Sequence, residues 1–168
     1  MKIIKNPKKS LGQNFLVDKN ILNKIVSLED IKNKNIIEIG AGYGSLTEKI
    51  LNKKPKKFFA IEKDKEISKF LFKKFINNKK LTIVNDDIFN FLKRKNNMKN
   101  VIVFGNLPYN ISTQILVKWI RLNNLNKIFK KFILMFQKEV AERIIATTNN
   151  KKYGRLSILT SWKMNVKK

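Results

Sequence analysis

The stretch Glu38-Ile39-Gly40-Ala41-Gly42-Tyr43-Gly44 decides the fold, because glycines there join an apolar run to a segment of helical periodicity. Three of the six glycines of the chain lie within these positions. Glycine lets the backbone turn tightly and approach a ligand closely, while the N–H groups of a following helix point at that ligand. The Gly-x-Gly-x-Gly spacing is not that of the dinucleotide loop Gly-x-Gly-x-x-Gly, and a tight turn without a ligand is the alternative interpretation.

Outward from this loop, short β-rich runs alternate with helical patterns. Strands are predicted at Ile36–Ile39, Phe58–Ile61, Leu81–Val84, Val101–Phe104 and Phe132–Phe136, with a weaker sixth at Leu156–Trp162. This alternation is typical of βαβ units, so the sequence predicts an α/β fold with a largely parallel sheet and helices on both faces. Ligands of such folds bind at the carboxyl ends of the strands.

Helices are predicted between the strands from capping residues and apolar spacing. Asp18, Asp64 and Ser112 are placed to cap three helices, another begins near Ser45, and a further one runs from Lys138 to Ala146. The side chains expected to face the core from these helices are Ile21, Leu22, Ile25, Val26, Ile67, Phe70, Leu71, Phe75, Ile115, Leu116, Trp119, Ile120, Val140, Ile144 and Ile145.

The composition bounds the class of protein. With 168 residues, 43% of them hydrophobic, a single domain over residues 1–168 is expected. The sequence has no long apolar run and no secretory signal, so no membrane association is expected. The chain has no cysteine and no histidine. Their absence excludes Ser-His-Asp triads and thiolate or histidine metal sites, predicts no metal, and fits a cytoplasmic protein.

The charge is strongly positive, with 37 Lys and Arg against 12 Asp and Glu and a net charge of +25. Such a field attracts polyanions through counterion release, and nucleic acid is favoured over an anionic membrane because no helix has a clean basic amphipathic pattern. Codon bias towards A and T is the alternative explanation for much of the lysine excess. The same charge argues against self-association, so a monomer is expected.

Carboxylates follow the second and third predicted strands. Glu62 lies 22 residues after Gly40, where it can accept both ribose hydroxyls of a nucleoside. Asp87 can accept a hydrogen bond from an adenine amino group while Ile88 packs on the ring. Singly, each acid could equally be a helix cap or a solvated charge. Jointly, Glu38, Glu62 and Asp87 favour a nucleoside pocket.

The motif Asn106-Leu107-Pro108-Tyr109 follows the fourth predicted strand. An adenine amine is a poor nucleophile, since its lone pair is delocalised into the ring. The side-chain oxygen of Asn106 and the backbone carbonyl of Leu107 or Pro108 could accept its two hydrogens, so that nitrogen becomes tetrahedral and attacks a sulfonium methyl group. Pro108 stiffens the turn, and Tyr109 offers a face on which an extruded base stacks. An ordinary Asn-Pro turn is the alternative.

Five segments covering nearly the whole chain resemble the ribosomal RNA small-subunit adenine dimethyltransferase family. They are KSLGQNFL (Lys9–Leu16), EIGAGYGSLT (Glu38–Thr47), NLPYNIST (Asn106–Thr113), QKEVA (Gln137–Ala141) and YGRLS (Tyr153–Ser157). The resemblance implies a Rossmann-like class I methyltransferase fold and S-adenosyl-L-methionine as the cofactor. It also implies N6-dimethylation of adjacent adenines near the 3′ end of small-subunit rRNA, with rRNA or the immature small ribosomal subunit as the partner.

The same resemblance assigns roles to single residues. Asn14 and Leu16 contact the methionine part of the cofactor, Gly40 and Gly42 line its loop, Glu62 holds the ribose, Asp87 holds the adenine, and Asn106 and Tyr109 face the target base, with Asn106 also at the cofactor. Family members continue through a last strand and a helical C-terminal domain, which this chain is expected to lack because it stops near the end of its sixth predicted strand.

Two other functions remain as alternatives. A non-catalytic RNA-binding ribosome assembly factor would keep the fold without turnover. DNA adenine methylation uses a similar motif, but its first residue is usually acidic, whereas this chain has Asn106.

Overall fold

The computed structural model describes residues 15–94, 98–107 and 111–168. In chain order its elements are α1 (Lys19–Ser27), β1 (Asn35–Ile39), α2 (Ser45–Asn52), β2 (Lys57–Ile61), α3 (Lys65–Lys74), β3 (Leu81–Val84), α4 (Ile88–Arg94), β4 (Val101–Asn106), α5 (Ser112–Ile120), α6 (Leu125–Ile128), β5 (Phe129–Met135), α7 (Lys138–Ile145) and α8 (Arg155–Lys163).

The five strands form one parallel sheet in the order β3-β2-β1-β4-β5. The order reverses between β1 and β4, and such a switch point opens a crevice at the carboxyl ends of the strands. Ile39 of β1 pairs with Ile61 of β2 and with Gly105 of β4, so these three strands end together. The predicted α/β fold with its parallel sheet is confirmed, and so are the first five strands to within a few residues.

Apolar layers cover both faces of the sheet, because alternate residues of the buried strands point to opposite sides. Ile36 faces α1, α2 and α3 in one cluster, whereas Ile37 faces α4 and α5 in the other. Trp119 of α5 is fully buried and stacks on Phe132 of β5 with ring centroids 5.0 Å apart. Burying a side chain of this size stabilises the fold by about 1.5–3 kcal/mol. No helix within the described ranges is both long and apolar enough to cross a membrane.

The capping predictions are partly confirmed. The carboxylates of Asp18 and Asp64 accept hydrogen bonds from the first-turn N–H groups of α1 and α3. The prediction for Ser112 is wrong, since Ile111 is the N-cap and Ser112 is the first helical residue. Ile21 was expected in the core but is 45% exposed, because α1 turns only Leu22, Ile25 and Val26 inward. Helices α4 and α6 were not predicted.

The weak sixth strand at Leu156–Trp162 is wrong, because this segment is helix α8. Leu156 and Leu159 pack against the cluster formed by α5 and α7. The buried hydroxyl of Thr160 donates to the backbone oxygen of Leu156 in its own helix at 2.8 Å and lies 3.3 Å from that of Ile144 in α7. An isolated apolar run of this length does not distinguish strand from helix, and here the contacts with α5 and α7 decide. The expectation that the chain ends near a sixth strand is therefore wrong as well.

Ser157, near the start of α8, bonds this helix to α7, and its replacement tests that contact. Its buried hydroxyl donates to the backbone oxygen of Arg143 at 2.5 Å and accepts from the N–H of Gly154 at 3.3 Å. Replacing Ser157 by Ala removes two part-buried hydrogen bonds, so the free energy of unfolding should fall by about 0.5–1.5 kcal/mol per bond in urea titrations. The matched control is Ser161→Ala, whose hydroxyl is exposed and bonds only within α8. Equal effects of the two substitutions would contradict this account.

Candidate functional site

The glycine loop after β1 is built from residues in the left-handed region. Gly40, Gly42 and Gly44 have φ values of 68°, 54° and 82°. The N–H of Gly40 donates to the backbone oxygen of Ile61 at 2.9 Å, which fixes the start of the loop to the end of β2. A Cβ on Gly44 would lie 2.7 Å from the ring of Phe75 and 2.9 Å from Leu71. Glycine is therefore required at position 44 both by the backbone conformation and by the packing of α3.

Glu62, directly after β2, holds this loop through its side chain. One carboxylate oxygen accepts from the N–H of Gly42 and the other from the N–H of Asp64, both at 2.9 Å. A carboxylate has about four acceptor positions, so each oxygen can accept one more hydrogen bond. Burial raises the pKa of Glu62, and backbone N–H donors, those of Asp64 and Gly42 first, offset only part of that increase. The side chain is 8% exposed, at the edge where a ribose was predicted.

Glu38 is a second carboxylate beneath the loop. It belongs to β1, is 1% exposed, and accepts a hydrogen bond from the hydroxyl of Thr47 in α2 at 2.6 Å. Burial raises the pKa of Glu38 to about 8, because the bond from Thr47 compensates only partly and the charge of Glu62 raises the pKa further. No separate role was predicted for Glu38, although an acid inside an apolar strand is a signal of one.

The raised pKa of Glu38 predicts how stability depends on pH. Its carboxyl loses its proton near pH 4.5 in the unfolded chain but near pH 8 in the folded one. Between these values the folded state binds more protons, so stability falls as the pH rises, by up to about 1.4 kcal/mol per unit. Glu38→Gln removes this titration and keeps an acceptor for Thr47. The wild type should therefore lose stability relative to the variant as the pH rises from 5 to 8, which is measured as the difference between their free energies of unfolding.

The control for this measurement is Glu48→Gln, which changes an exposed carboxylate on α2. Its difference from the wild type should remain nearly constant over the same range. Parallel stability curves for the wild type and Glu38→Gln would show that Glu38 is ionised in the folded protein throughout.

Aromatic rings fix the N-terminal segment to the loop. Phe15 contacts Tyr43 with ring centroids 4.8 Å apart, and Tyr43 meets Phe70 of α3 edge-on at 5.4 Å. A Cβ on Gly42 would lie 3.0 Å from the ring of Phe15. Leu16 is half-buried and packs against the same apolar cluster, so this predicted cofactor contact lies in the segment that covers the loop. Asn14, the other predicted contact, lies outside the described residues.

The end of β3 is tied to the end of β2. The side-chain amide of Asn85 donates to the backbone oxygens of Glu62 at 2.9 Å and Lys63 at 3.2 Å. Asp87 accepts from the N–H of Phe89 at 2.9 Å, so it starts α4, as the alternative interpretation held. Its other oxygen lies 4.0 Å from the ammonium of Lys63 and its side chain is 36% exposed. Asp87 thus keeps acceptor capacity at the rim of the site.

Asn106 ends β4 and lies beside the glycine loop. A Cβ on Gly40 would lie 3.5 Å from the backbone oxygen of Asn106. Leu107 is 1% exposed and packs in the core, which anchors the start of the motif. Pro108 and Tyr109 lie outside the described residues. The structure therefore brings Gly40, Gly42, Glu62 and Asn106 to one edge of the sheet, at the switch point.

Comparison with known proteins agrees with this geometry. The family model for ribosomal RNA adenine dimethylase matches residues 4–168. The chain belongs to this family. It is 55% identical over 161 residues to the ribosomal RNA small subunit methyltransferase A of Pelagibacter ubique, covering 96% of this chain and 61% of that protein. The protein of the same name from a Wolbachia pipientis strain of Culex pipiens is 45% identical over 99% of this chain and 63% of its own length.

A solved structure shows the same fold. The dimethyladenosine transferase of Plasmodium falciparum superposes with a TM-score of 0.74 at 32% identity, covering 88% of this chain and 52% of that one. The predicted Rossmann-like methyltransferase fold is thereby confirmed. The chain spans about three fifths of the length of the curated relatives that it matches.

Proposed function

We propose that this member of the family binds S-adenosyl-L-methionine at the carboxyl edge of its sheet and catalyses N6-dimethylation of adjacent adenines near the 3′ end of small-subunit rRNA, during ribosome biogenesis. The observation that carries the proposal is the glycine loop, bonded to the Glu62 carboxylate and adjacent to Asn106. The names of the relatives support rRNA as the substrate class. Those relatives are longer than this chain, and the methyltransferase activity on small-subunit rRNA in their names is proposed for it.

The residues at this edge fit a nucleoside cofactor. Glu62 can accept the two ribose hydroxyls with its remaining lone pairs, since each of its oxygens is occupied by one N–H group. The backbone at Gly40 and Gly42 has no Cβ and so allows close approach. In the proposal Asp87 accepts from the adenine amino group, and Asn14 and Leu16 contact the methionine part. The bound cofactor would supply an electrophilic methyl group on a sulfonium.

Asn106 would activate the target base. Its side-chain oxygen accepts one hydrogen of the adenine amine, and the backbone carbonyl of Leu107 or Pro108 accepts the other. Two acceptors in these directions favour tetrahedral nitrogen, which makes the lone pair available for in-line attack on the methyl group. Tyr109 would stack on the extruded base. No general base is required, because the methylated nitrogen can lose its proton to water.

Titration calorimetry with S-adenosyl-L-methionine tests the cofactor site. Glu62→Gln keeps an acceptor for one of the two N–H groups but removes the charge and one acceptor oxygen. Hydrogen bonds to a charged group contribute about 1.5–3 kcal/mol each, so affinity should fall at least tenfold.

The control variant is Glu66→Gln, which alters an exposed carboxylate near the start of α3 that pairs with Lys69. Its affinity for the cofactor should be within about twofold of that of the wild type, a much smaller change than the tenfold loss expected for Glu62→Gln. Equal affinities for Glu62→Gln and the wild type would refute the assignment of Glu62 to the ribose.

Transfer of a tritiated methyl group to immature small ribosomal subunits tests the reaction. Label should appear in N6-methylated adenine after digestion of the rRNA. Asn106→Ala should lower the rate by about a hundredfold or more, as expected when an acceptor that acts in the transition state is removed. Cofactor binding measured in parallel separates this effect from loss of the pocket.

Two results would contradict the proposal. Subunit binding that is unaffected by Asn106→Ala and by the cofactor, with no label transferred, would favour a non-catalytic assembly factor. Faster transfer to naked duplex DNA than to rRNA would favour DNA methylation.

A further inference from the structure

A groove lies at the edge of the sheet, away from the loop described above. It has a volume of about 810 Å³ and runs along β2 and β3 against α4. Its apolar lining includes Phe59 and Val84, both half-buried. The basic side chains that line it are Lys56, Lys57, Lys79, Lys80 and Arg94. Among the strands of the described ranges β3 pairs with β2 alone, so the groove is open along the sheet edge.

The four lysines of the groove are exposed and lack acidic partners within the described ranges. Arg94 is held differently, since its guanidinium donates to the carboxylate of Asp86. Four ammonium groups around one concavity repel one another, so an unoccupied groove of this kind is electrostatically unfavourable. A polyanion that enters it relieves that repulsion and releases counterions.

The lysines of the groove are part of a wider pattern, in which basic residues collect at the amino ends of the strands and acidic residues at the carboxyl ends. The loops at the amino ends of β1 to β4 (residues 28–34, 53–56, 75–80 and 98–100) contain eight lysines and two acids. The described loops at the carboxyl ends (residues 40–44, 62–64, 85–87, 107 and 136–137) contain one lysine and four acids. A composition bias towards lysine would raise both ends alike, so it does not explain this asymmetry.

We propose that the groove between β2, β3 and α4 binds single-stranded RNA, as a second RNA site separate from the methyl-transfer site. Lys57, Lys79 and Lys80 would contact phosphates, while Phe59 and Val84 contact ribose and base. In a duplex the bases face inwards, so an apolar lining is useful only to a strand whose bases are unpaired. That this RNA belongs to the same ribosomal particle rests on the proposed function.

The shape of the surface favours RNA over a membrane. An anionic bilayer attracts basic residues on a convex or flat surface, usually with exposed apolar side chains that insert. Here the apolar side chains of Phe59 and Val84 are half-buried and line a concavity, so they do not project from the surface. The lysines of the groove lie at the amino ends of β2 and β3, and Lys57 is roughly 13 Å along β2 from the end that carries Glu62, at 3.3 Å per residue. One RNA molecule could therefore contact both ends of the sheet.

Binding of a fluorescent oligouridylate of about ten nucleotides, a length within the range of known single-strand sites, tests the proposal by anisotropy. The test variant combines Lys57→Gln, Lys79→Gln and Lys80→Gln. At about 0.1 M salt its Kd should rise at least tenfold, and the slope of log Kd against log salt should fall by about 2, since each phosphate contact to a single strand contributes about 0.7.

The matched control combines Lys24→Gln, Lys69→Gln and Lys73→Gln, three exposed lysines on α1 and α3. Both triple variants lose the same charge, so a general electrostatic effect would weaken them equally. Equal losses would overturn the proposal. A second result would also overturn it: the test variant binds the oligouridylate as well as the wild type does, but binds phosphatidylserine vesicles less well than the control variant does. That result would favour a membrane surface.

A second variant guards against misfolding of the first. Thr82→Glu places a negative charge on the exposed groove wall and leaves all lysines in place. It should weaken oligouridylate binding at least threefold, whereas Thr148→Glu in the exposed loop after α7 should not. Normal binding by Thr82→Glu would refute the groove as the site. Cofactor calorimetry on the same variants should match the wild type, so failure of this inference is distinguishable from failure of the proposed function.

Discussion

The carboxylate of Glu62 accepts the N–H groups of Gly42 and Asp64, and the candidate site depends on this pair of hydrogen bonds. A loop of left-handed glycines has little intrinsic preference for one conformation, so it needs a fixed partner to remain open. Glu62 supplies that partner from the neighbouring strand. The register of β1 and β2, in which Ile39 lies beside Ile61, brings the two together.

Two buried carboxylates close together would repel each other if both were ionised. Glu38 and Glu62 avoid this cost differently. Thr47 donates to Glu38, whose pKa of about 8 keeps it largely protonated at neutral pH, whereas Glu62 has backbone donors and lies nearer the surface. Glu62 thus holds the glycine loop, while Glu38 is bonded to Thr47 of α2.

The same parallel architecture separates charge. Every strand ends at the edge where helices begin, and acids there cap helices, as Asp64 and Asp87 do. Lysines collect at the opposite edge, where no such role requires an acid. The lysine-rich loops and the candidate site therefore lie at opposite ends of one sheet.

The sequence by itself determined the fold class, the first five strands and the glycine loop, because these depend on local periodicity and on residues whose backbone preferences are specific. Tertiary structure alone decided the rest. The segment Leu156–Trp162 is a helix because its side chains Leu156 and Leu159 pack against α5 and α7. Ile21 faces solvent because α1 packs against the sheet through Leu22, Ile25 and Val26. The bond from Thr47 to Glu38 and the groove beside β3 join residues from separate elements, and only the packing of those elements brings them together.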